Sequence, residues 1–417
     1  MLKSHPLVKT LLGLKGNSRA CVWTEPLFGI PQQLYLPYAS LYMVALGITE
    51  GQIGLIASIS MLLQVFSALL SGAITDKLGR RLTTLVGDLI SWSIPCLIWA
   101  FSRNFTHFLV AAIINSLWRI AGNAWNCLLV EDSESAQLVD IFSWIYIAGL
   151  LSAFVAPAAG VFIARYGFIP TVRGLYLFSF VMMTIKAIIL YALATETRQG
   201  EIRKRETASL GIMVLVGQYG DVFRQILRTP QTLIALGIRV AMNICFMINT
   251  NFWAILVTGR LQIPEQYIAI FPFIKAIIML LFYFLIMPRI AQANFKRPML
   301  TGFLLAVLSQ LILVFSPVLG YAFLVISIAL EACSLALVRP FMDALVVISV
   351  DPEERARIVS ILDVIMLSLT SPFGWLAGLA AEVDQRLPFL ISIGLFLLGV
   401  VLVSLASSKE GKITAAA

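Results

Sequence analysis

Gly72-Ala73-Ile74-Thr75-Asp76-Lys77-Leu78-Gly79-Arg80-Arg81 stands between two long oily runs, residues 51–71 and 82–102. Each run has about 20 residues, enough at about 1.5 Å per residue to cross the hydrocarbon of a bilayer as a helix. The stretch between them reads as a tight turn. Gly79 permits a positive φ, and Lys77, Arg80 and Arg81 resist translocation and hold the turn on the cytoplasmic side. Asp76 answers to neither need.

The same alternation of oily run and polar connection recurs along all 417 residues. Apolar stretches fall at 21–46, 51–71, 82–102, 106–130, 138–163, 170–194, 231–258, 266–288, 298–316, 320–347, 356–381 and 388–407, which makes twelve spans. Composition agrees: 59% of the side chains are hydrophobic and 12% charged, against about 25% charged in soluble domains. Little is left for a soluble catalytic domain. Backbone in hydrocarbon must satisfy its own hydrogen bonds, so the spans are expected to be helices, kinked at Pro26, Pro31, Pro37, Pro95, Pro157 and Pro372. The short alternating segments of a β-barrel are missing.

Orientation follows from the cations in alternate connections. One set, which includes both ends of the chain, holds twenty, among them Lys77, Arg80, Arg81, Arg203, Lys204, Arg205, Arg289, Lys296 and Arg297; the other holds five, Arg103, Arg165, Arg173, Arg260 and Arg386. Both termini and the central loop are therefore expected in the cytoplasm, with the chain in the plasma membrane. The formal charge of +8 is then topogenic, and no nucleic-acid partner is expected. The apolar run from Cys21 is too long for a signal-peptide core and lacks a small-residue cleavage site, so it is expected to stay as span 1.

The longest polar stretch, Thr195–Thr229, divides the spans six and six. The expected organisation is an N-terminal six-helix bundle over 1–194, a cytoplasmic linker over 195–230 and a C-terminal six-helix bundle over 231–417. The linker's Leu210–Ile226 portion is amphipathic enough to lie along the inner membrane surface. The halves resemble each other: a shift of 216 carries Arg80-Arg81 onto Lys296-Arg297, and a shift of 220 carries Arg119 onto Arg339. Duplication of a six-helix unit is a transporter architecture.

Several chemistries are excluded by what is missing. The five cysteines lie in apolar segments without C-x-x-C spacing, and the two histidines, His5 and His107, cannot make a metalloprotease motif. There is no phosphate-binding loop for ATP drive and no nucleophile with a base for an intramembrane enzyme. No cofactor, metal or catalytic residue is expected.

With that frame, Gly72-x-x-x-Asp76-Lys77-x-Gly79-Arg80-Arg81 resembles the signature of the major facilitator superfamily between helices 2 and 3, G-x-x-x-D-(R/K)-x-G-R-R, at every signature position. The resemblance implies an all-α integral membrane fold of twelve transmembrane helices. It implies a conformational latch in which Asp76 faces the start of helix 11 near Ile358 and Arg80 pairs with Glu131 or Asp132. Gln292 replaces the Asp in the second copy, so a latch there should be weaker. Arg119 resembles the arginine of the family's R-x-x-Q-G, without the Gln, and Ala156-Pro157-Ala158-Ala159-Gly160 is a degraded form of the antiporter motif G-P-x-x-G, which lowers a drug-antiporter reading.

Ten ionisable residues sit within or near the spans: Arg119, Lys186, Arg239, Lys275 and Arg339, against Glu25, Asp88, Glu331, Asp363 and Asp343. Charges in hydrocarbon are costly unless paired or hydrated, which marks them as candidates. In the family, helices 1, 4, 7 and 10 line the cavity, which favours Glu25, Arg119, Arg239 and Glu331 over Lys186 on helix 6. Gln32, Asn243, Lys275 and Arg339 join this candidate substrate and proton cavity, and Arg239, Asn243 and Thr250 form a polar stripe on span 7. Expected couples are Glu25 with Arg119, and Glu331 with Arg239 or Lys275. The expected function is a monomeric, proton-coupled secondary transporter of a small organic solute, working by alternating access, with multidrug efflux as the alternative. The central cations lean towards an organic anion or zwitterion.

Overall fold

A computed structural model describes residues 13–133, 137–207, 230–290, 296–348 and 355–406. Regular structure among them is helical throughout, as backbone in hydrocarbon requires. Among the described residues, eleven helices are long and apolar enough to cross a membrane. The remaining crossing, span 1, is broken into Gly16–Thr24, Pro26–Tyr35, the 3-10 turn Leu36–Tyr38 and Ala39–Ala45. Pro26 opens the second piece, Pro31 sits inside it and Pro37 lies in the turn. Each proline removes a backbone donor, so the ladder restarts at short intervals. Pro95 follows the π turn Leu89–Ser93, and Pro157 follows the 3-10 turn Ala153–Val155. Pro372 is accommodated inside the continuous helix Arg355–Val383.

The chain forms two compact units. The first consists of Met1–Leu36 and Leu62–Gln218. In it, span 3 (Arg80–Ala100) packs on span 4 (Phe105–Val130), and the absence of a side chain at Gly87 permits the approach: a Cβ there would lie 2.8 Å from that of Ala121. Span 6, Phe168–Leu193, packs on Pro26–Tyr35 and on the end of span 3. Tyr35, Trp99 and Tyr176 meet there, the Tyr35 and Tyr176 ring centroids 4.9 Å apart. The helix Arg198–Thr207 continues this unit; the Leu210–Ile226 portion of the linker lies outside the described residues.

The second unit consists of Pro37–Met61 and Tyr219–Ala417. Span 9, Lys296–Phe315, packs between Tyr321–Ile348 and Leu387–Leu405, and span 7 (Thr232–Arg260) packs on the last two helices. The start of Glu50–Leu78 crosses Arg355–Val383 with glycine against glycine. A Cβ on Gly54 would come within 2.9 Å of the Gly378 Cα, and one on Gly374 within 2.9 Å of the Gly54 carbonyl oxygen. Small residues allow such close helix approach in membranes. Thr49 and Gln52 form a reciprocal cap on the first turn of Glu50–Leu78, at 3.2 and 3.3 Å, and the Glu382 carboxylate accepts the Gly51 N–H at 3.0 Å. Apolar side chains such as Phe315 (72% exposed) and Val161 (70%) cover the outside, a surface suited to lipid.

Candidate functional site

The turn after span 2 is built around Gly79, whose φ of +88° is open to glycine and strained for other residues. It ends Glu50–Leu78 and starts Arg80–Asp88, so the amides of Arg80 and Arg81 are helix-terminal donors without intrahelical partners. The Glu196 carboxylate accepts both, at 2.9 and 3.2 Å. Arg80 is 4% exposed, and its guanidinium lies between two acids, 3.0 Å from Asp76 and 3.1 Å from Glu131. Of the two acids at the end of span 4, Glu131 is thus the partner of Arg80. Asp132 instead accepts from the Asn17 amide at 3.0 Å and from the Arg198 N–H at 3.4 Å.

Arg81 donates to the Tyr191 carbonyl at 2.8 Å and lies over its ring. Lys77 closes the last turn of Glu50–Leu78, while Gly72 faces open space, with no atom within 4 Å of where a Cβ would stand. Asp76 has a second partner that the turn's own sequence does not reveal: Arg203 of the linker helix, at 3.1 Å. Thr197 adds a hydroxyl donated to Glu131 at 2.5 Å. The linker therefore ties into the turn, a role invisible in its basic composition. The side chains around Ile358 and the second copy's Gln292 lie outside the described residues.

Within the first unit, Glu25 and Gln32 line a cavity of about 310 Å³ with Asp88, Lys186 and the rings of Phe28, Trp92, Trp118 and Trp125. The break at Pro26 places Glu25 between two helical pieces, and Phe28 and Gln32 follow one and two turns on. Lys186, set aside in the sequence because helix 6 is peripheral in the family, is buried and donates to Asp88 at 2.5 Å. It also sits in the electrostatic field of Glu25. The couple expected between Glu25 and Arg119 is replaced by this arrangement. Arg119 turns to Gln64, 3.2 Å away, and stacks over Trp118 at 4.3 Å. The reason is geometric: span 6 packs directly on the span 1 piece that carries Phe28 and Gln32, so Lys186 reaches the cavity.

Within the second unit, a cavity of about 270 Å³ is lined by Arg239, Asn243, Asn249, Gln310, Glu331 and Arg339 among others. Lys275 pairs with Glu331 at 2.8 Å, and Asn249 donates to the same Glu331 oxygen at 2.6 Å. Arg239 pairs with Asp363 at 2.8 Å, and Asn243 donates to Thr370 at 3.2 Å. Lys275 is thus the cation beside Glu331, and Arg239 faces a different acid. Arg339 lies 5.6 Å from the Phe246 ring centre. Thr250, read as the top of the span 7 stripe, is exposed and outside this lining; Asn249 beside it takes the polar role. Asn249 and Gln310 were missed because a lone amide on an oily helix carries little weight without knowledge of its neighbours. The five cysteines are free thiols.

Each cavity brings ionisable groups together among oily helices, where a bare charge is expensive and a paired one persists. Such sites can hold a polar solute, or a proton on a carboxylate, inside a bundle of oily helices.

Known proteins resemble this chain in sequence and in fold. The sequence profile of the Major Facilitator Superfamily matches residues 27–374. Major facilitator superfamily domain-containing protein 10 of Mus musculus is 32% identical over 114 residues, covering 27% of this chain and 24% of that protein. The multidrug efflux pump Tap of Mycobacterium tuberculosis (strain ATCC 25618 / H37Rv) is 30% identical over 134 residues, 30% of this chain and 32% of that protein. The chain thus spans about a quarter to a third of the length of the curated relatives it matches. Among solved structures, a mutant of the nucleoside transporter NupG superposes with a TM-score of 0.74 at 17% identity, over 93% of this chain and 98% of that one. The human organic anion transporter MFSD10 superposes with a TM-score of 0.56 at 18% identity, over 95% and 98%. At these identities the likeness is one of fold alone, the twelve-helix fold that those two transporters share. With the profile matched across most of its length, the chain belongs to the Major Facilitator Superfamily.

Proposed function

We propose that this chain is a secondary active transporter that moves a small organic solute across the plasma membrane by alternating access, coupled to protons, as a monomer with both termini cytoplasmic. In this reading the moving bodies are the bundles 1–194 and 231–417, joined by the linker 195–230. The cluster of Asp76, Arg80 and Glu131, braced by Glu196 and Arg203, serves as the latch. The cavity residues Glu25, Gln32, Arg119, Arg239, Asn243, Lys275, Glu331 and Arg339 serve solute and proton.

The observation that carries the proposal is the Glu25–Lys186–Asp88 group lining one cavity within the first unit. Lys186 is engaged by Asp88, which leaves Glu25 as a carboxylate in excess of the local cations. A proton arriving there cancels that excess, and the state of Glu25 then alters the electrostatic cost of closing the cavity. The test is transport in proteoliposomes under an imposed pH gradient. Glu25→Gln is expected to abolish gradient-driven accumulation while leaving solute exchange intact; undiminished accumulation in that variant removes Glu25 from coupling.

Multidrug efflux is the second reading, favoured by the 134-residue stretch shared with Tap. Raised resistance on overexpression separates it from uptake of a single metabolite.

A further inference from the structure

We infer that the cavity of the first unit is a binding site for a small organic cation, an ammonium group attached to a compact apolar body. This deepens the proposed function, since it names the solute class of one of its cavities. The charges present are two carboxylates, Glu25 and Asp88, and one ammonium, Lys186. Lys186 bonds Asp88 at 2.5 Å and also lies in the field of Glu25, so one cation is shared between two carboxylates and the cluster carries a net negative charge. An anionic solute would face both carboxylates. A neutral one would leave the second carboxylate with only a share of Lys186 as counter-charge, which is costly.

The walls point the same way. Phe28 meets Trp92 edge to face at 4.9 Å, and Trp92 stands 6.3 Å from Trp118, so aromatic rings line one continuous side. Ring faces attract cations, more strongly where water is excluded. The protein's own cations already use them: Lys186 approaches the Phe28 ring at 5.7 Å, and Arg119 covers Trp118 at 4.3 Å. The rings of Trp92 and Trp125 complete the wall. The Trp125 indole N–H is buried without an acceptor, and the Gln32 amide lines the same space, so a polar atom on the solute can be bound beside its charge. A volume of about 310 Å³ suits a molecule with one ring or a short alkyl body.

The test is equilibrium binding to the purified full chain in detergent, followed by calorimetry, with benzyltrimethylammonium as probe and benzoate as the anion of similar size. The expected result is saturable binding of the cation that benzoate does not compete. Affinity should fall about tenfold or more in Glu25→Gln. It should also fall in Trp92→Leu and be largely kept in Trp92→Phe, which separates loss of a ring from loss of fold; melting temperatures of the variants are measured alongside. Tighter binding of benzoate, undiminished cation binding in a folded Glu25→Gln, or no cation binding by the folded parent overturns the inference. Binding in detergent needs no gradient, so the two readings fail separately. Cation binding without pH-driven flux removes proton coupling alone, and pH-driven flux without cation binding removes the solute class alone.

Discussion

Asp88 and Lys186 meet at 2.5 Å with 9% and 6% of their side chains exposed, which makes them strongly interdependent. Removing one partner of a buried pair strands the other charge in a low dielectric, at a cost of about 3–5 kcal/mol. Lys186→Met is therefore expected to lower the melting temperature sharply, and the double variant Lys186→Met with Asp88→Leu to recover most of the loss, because it removes the stranded charge. A double variant no more stable than the single one would show that packing, not charge, dominates there. At the other extreme stands Asp384, in the short turn between the last two spans, where Arg386 donates from its guanidinium at 2.6 Å and from its backbone N–H at 2.9 Å. These bonds hold the Asp384 carboxyl down from 3.8 to about 2. A carboxyl depressed by folding adds stability above its ordinary value, and that contribution is lost as pH falls through the folded value near 2. The pair is exposed and screened, so the effect on stability is small. Carboxyl NMR of Asp384 is expected to give a midpoint near 2 in the parent and a value back in the usual carboxylate range in Arg386→Gln.

At the scale of elements, the glycine contact between Glu50–Leu78 and Arg355–Val383 sets how closely the two helices approach. A Cβ on Gly378 would stand 2.6 Å from the Glu50 carbonyl oxygen and 3.0 Å from the Gly51 Cα, both backbone atoms with no rotamer to yield. Gly378→Val is expected to force the helices apart and to destabilise by about 1–3 kcal/mol. Gly72→Ala, made in open space within the same helix Glu50–Leu78, is expected to be neutral or slightly stabilising, since alanine favours the helix. Thermal melts of the two variants side by side check the contrast. Equal effects would mean that glycine serves backbone flexibility at both sites rather than close approach at one. The break in span 1 follows a different logic. Prolines interrupt its hydrogen-bond ladder, and the interruption puts Glu25, Phe28 and Gln32 on a short piece that faces a cavity.

For the whole molecule, the proposed orientation, with both termini cytoplasmic, rests on the distribution of cations. In a cysteine-free background, Thr106→Cys, in the exposed first turn of span 4 beside the cation-poor connection that holds Arg103, is expected to react with a membrane-impermeant maleimide on intact cells. Gln199→Cys, on the linker side, is expected to react only after permeabilisation. Both positions are exposed in the structure, so a reversed pattern would refute the orientation rather than report burial.

The spans, the turn at Gly72–Arg81 and the family were legible in the sequence. Hydrocarbon imposes a demand that is local and additive: about 20 apolar residues satisfy it whatever their neighbours are. Charge placement along the connections is equally local. The candidate site was legible only as an inventory. Glu25, Gln32, Arg239, Asn243, Glu331 and Arg339 do line cavities, yet the partners were set by packing: Lys186 with Asp88, Arg239 with Asp363, Asn249 with Glu331, Arg203 with Asp76. Oily helices present similar faces all round, so their periodicity does not say how each is rotated or at what depth it meets the next. Residues 98 positions apart in the chain, such as Asp88 and Lys186, come together only once span 6 lies against span 3.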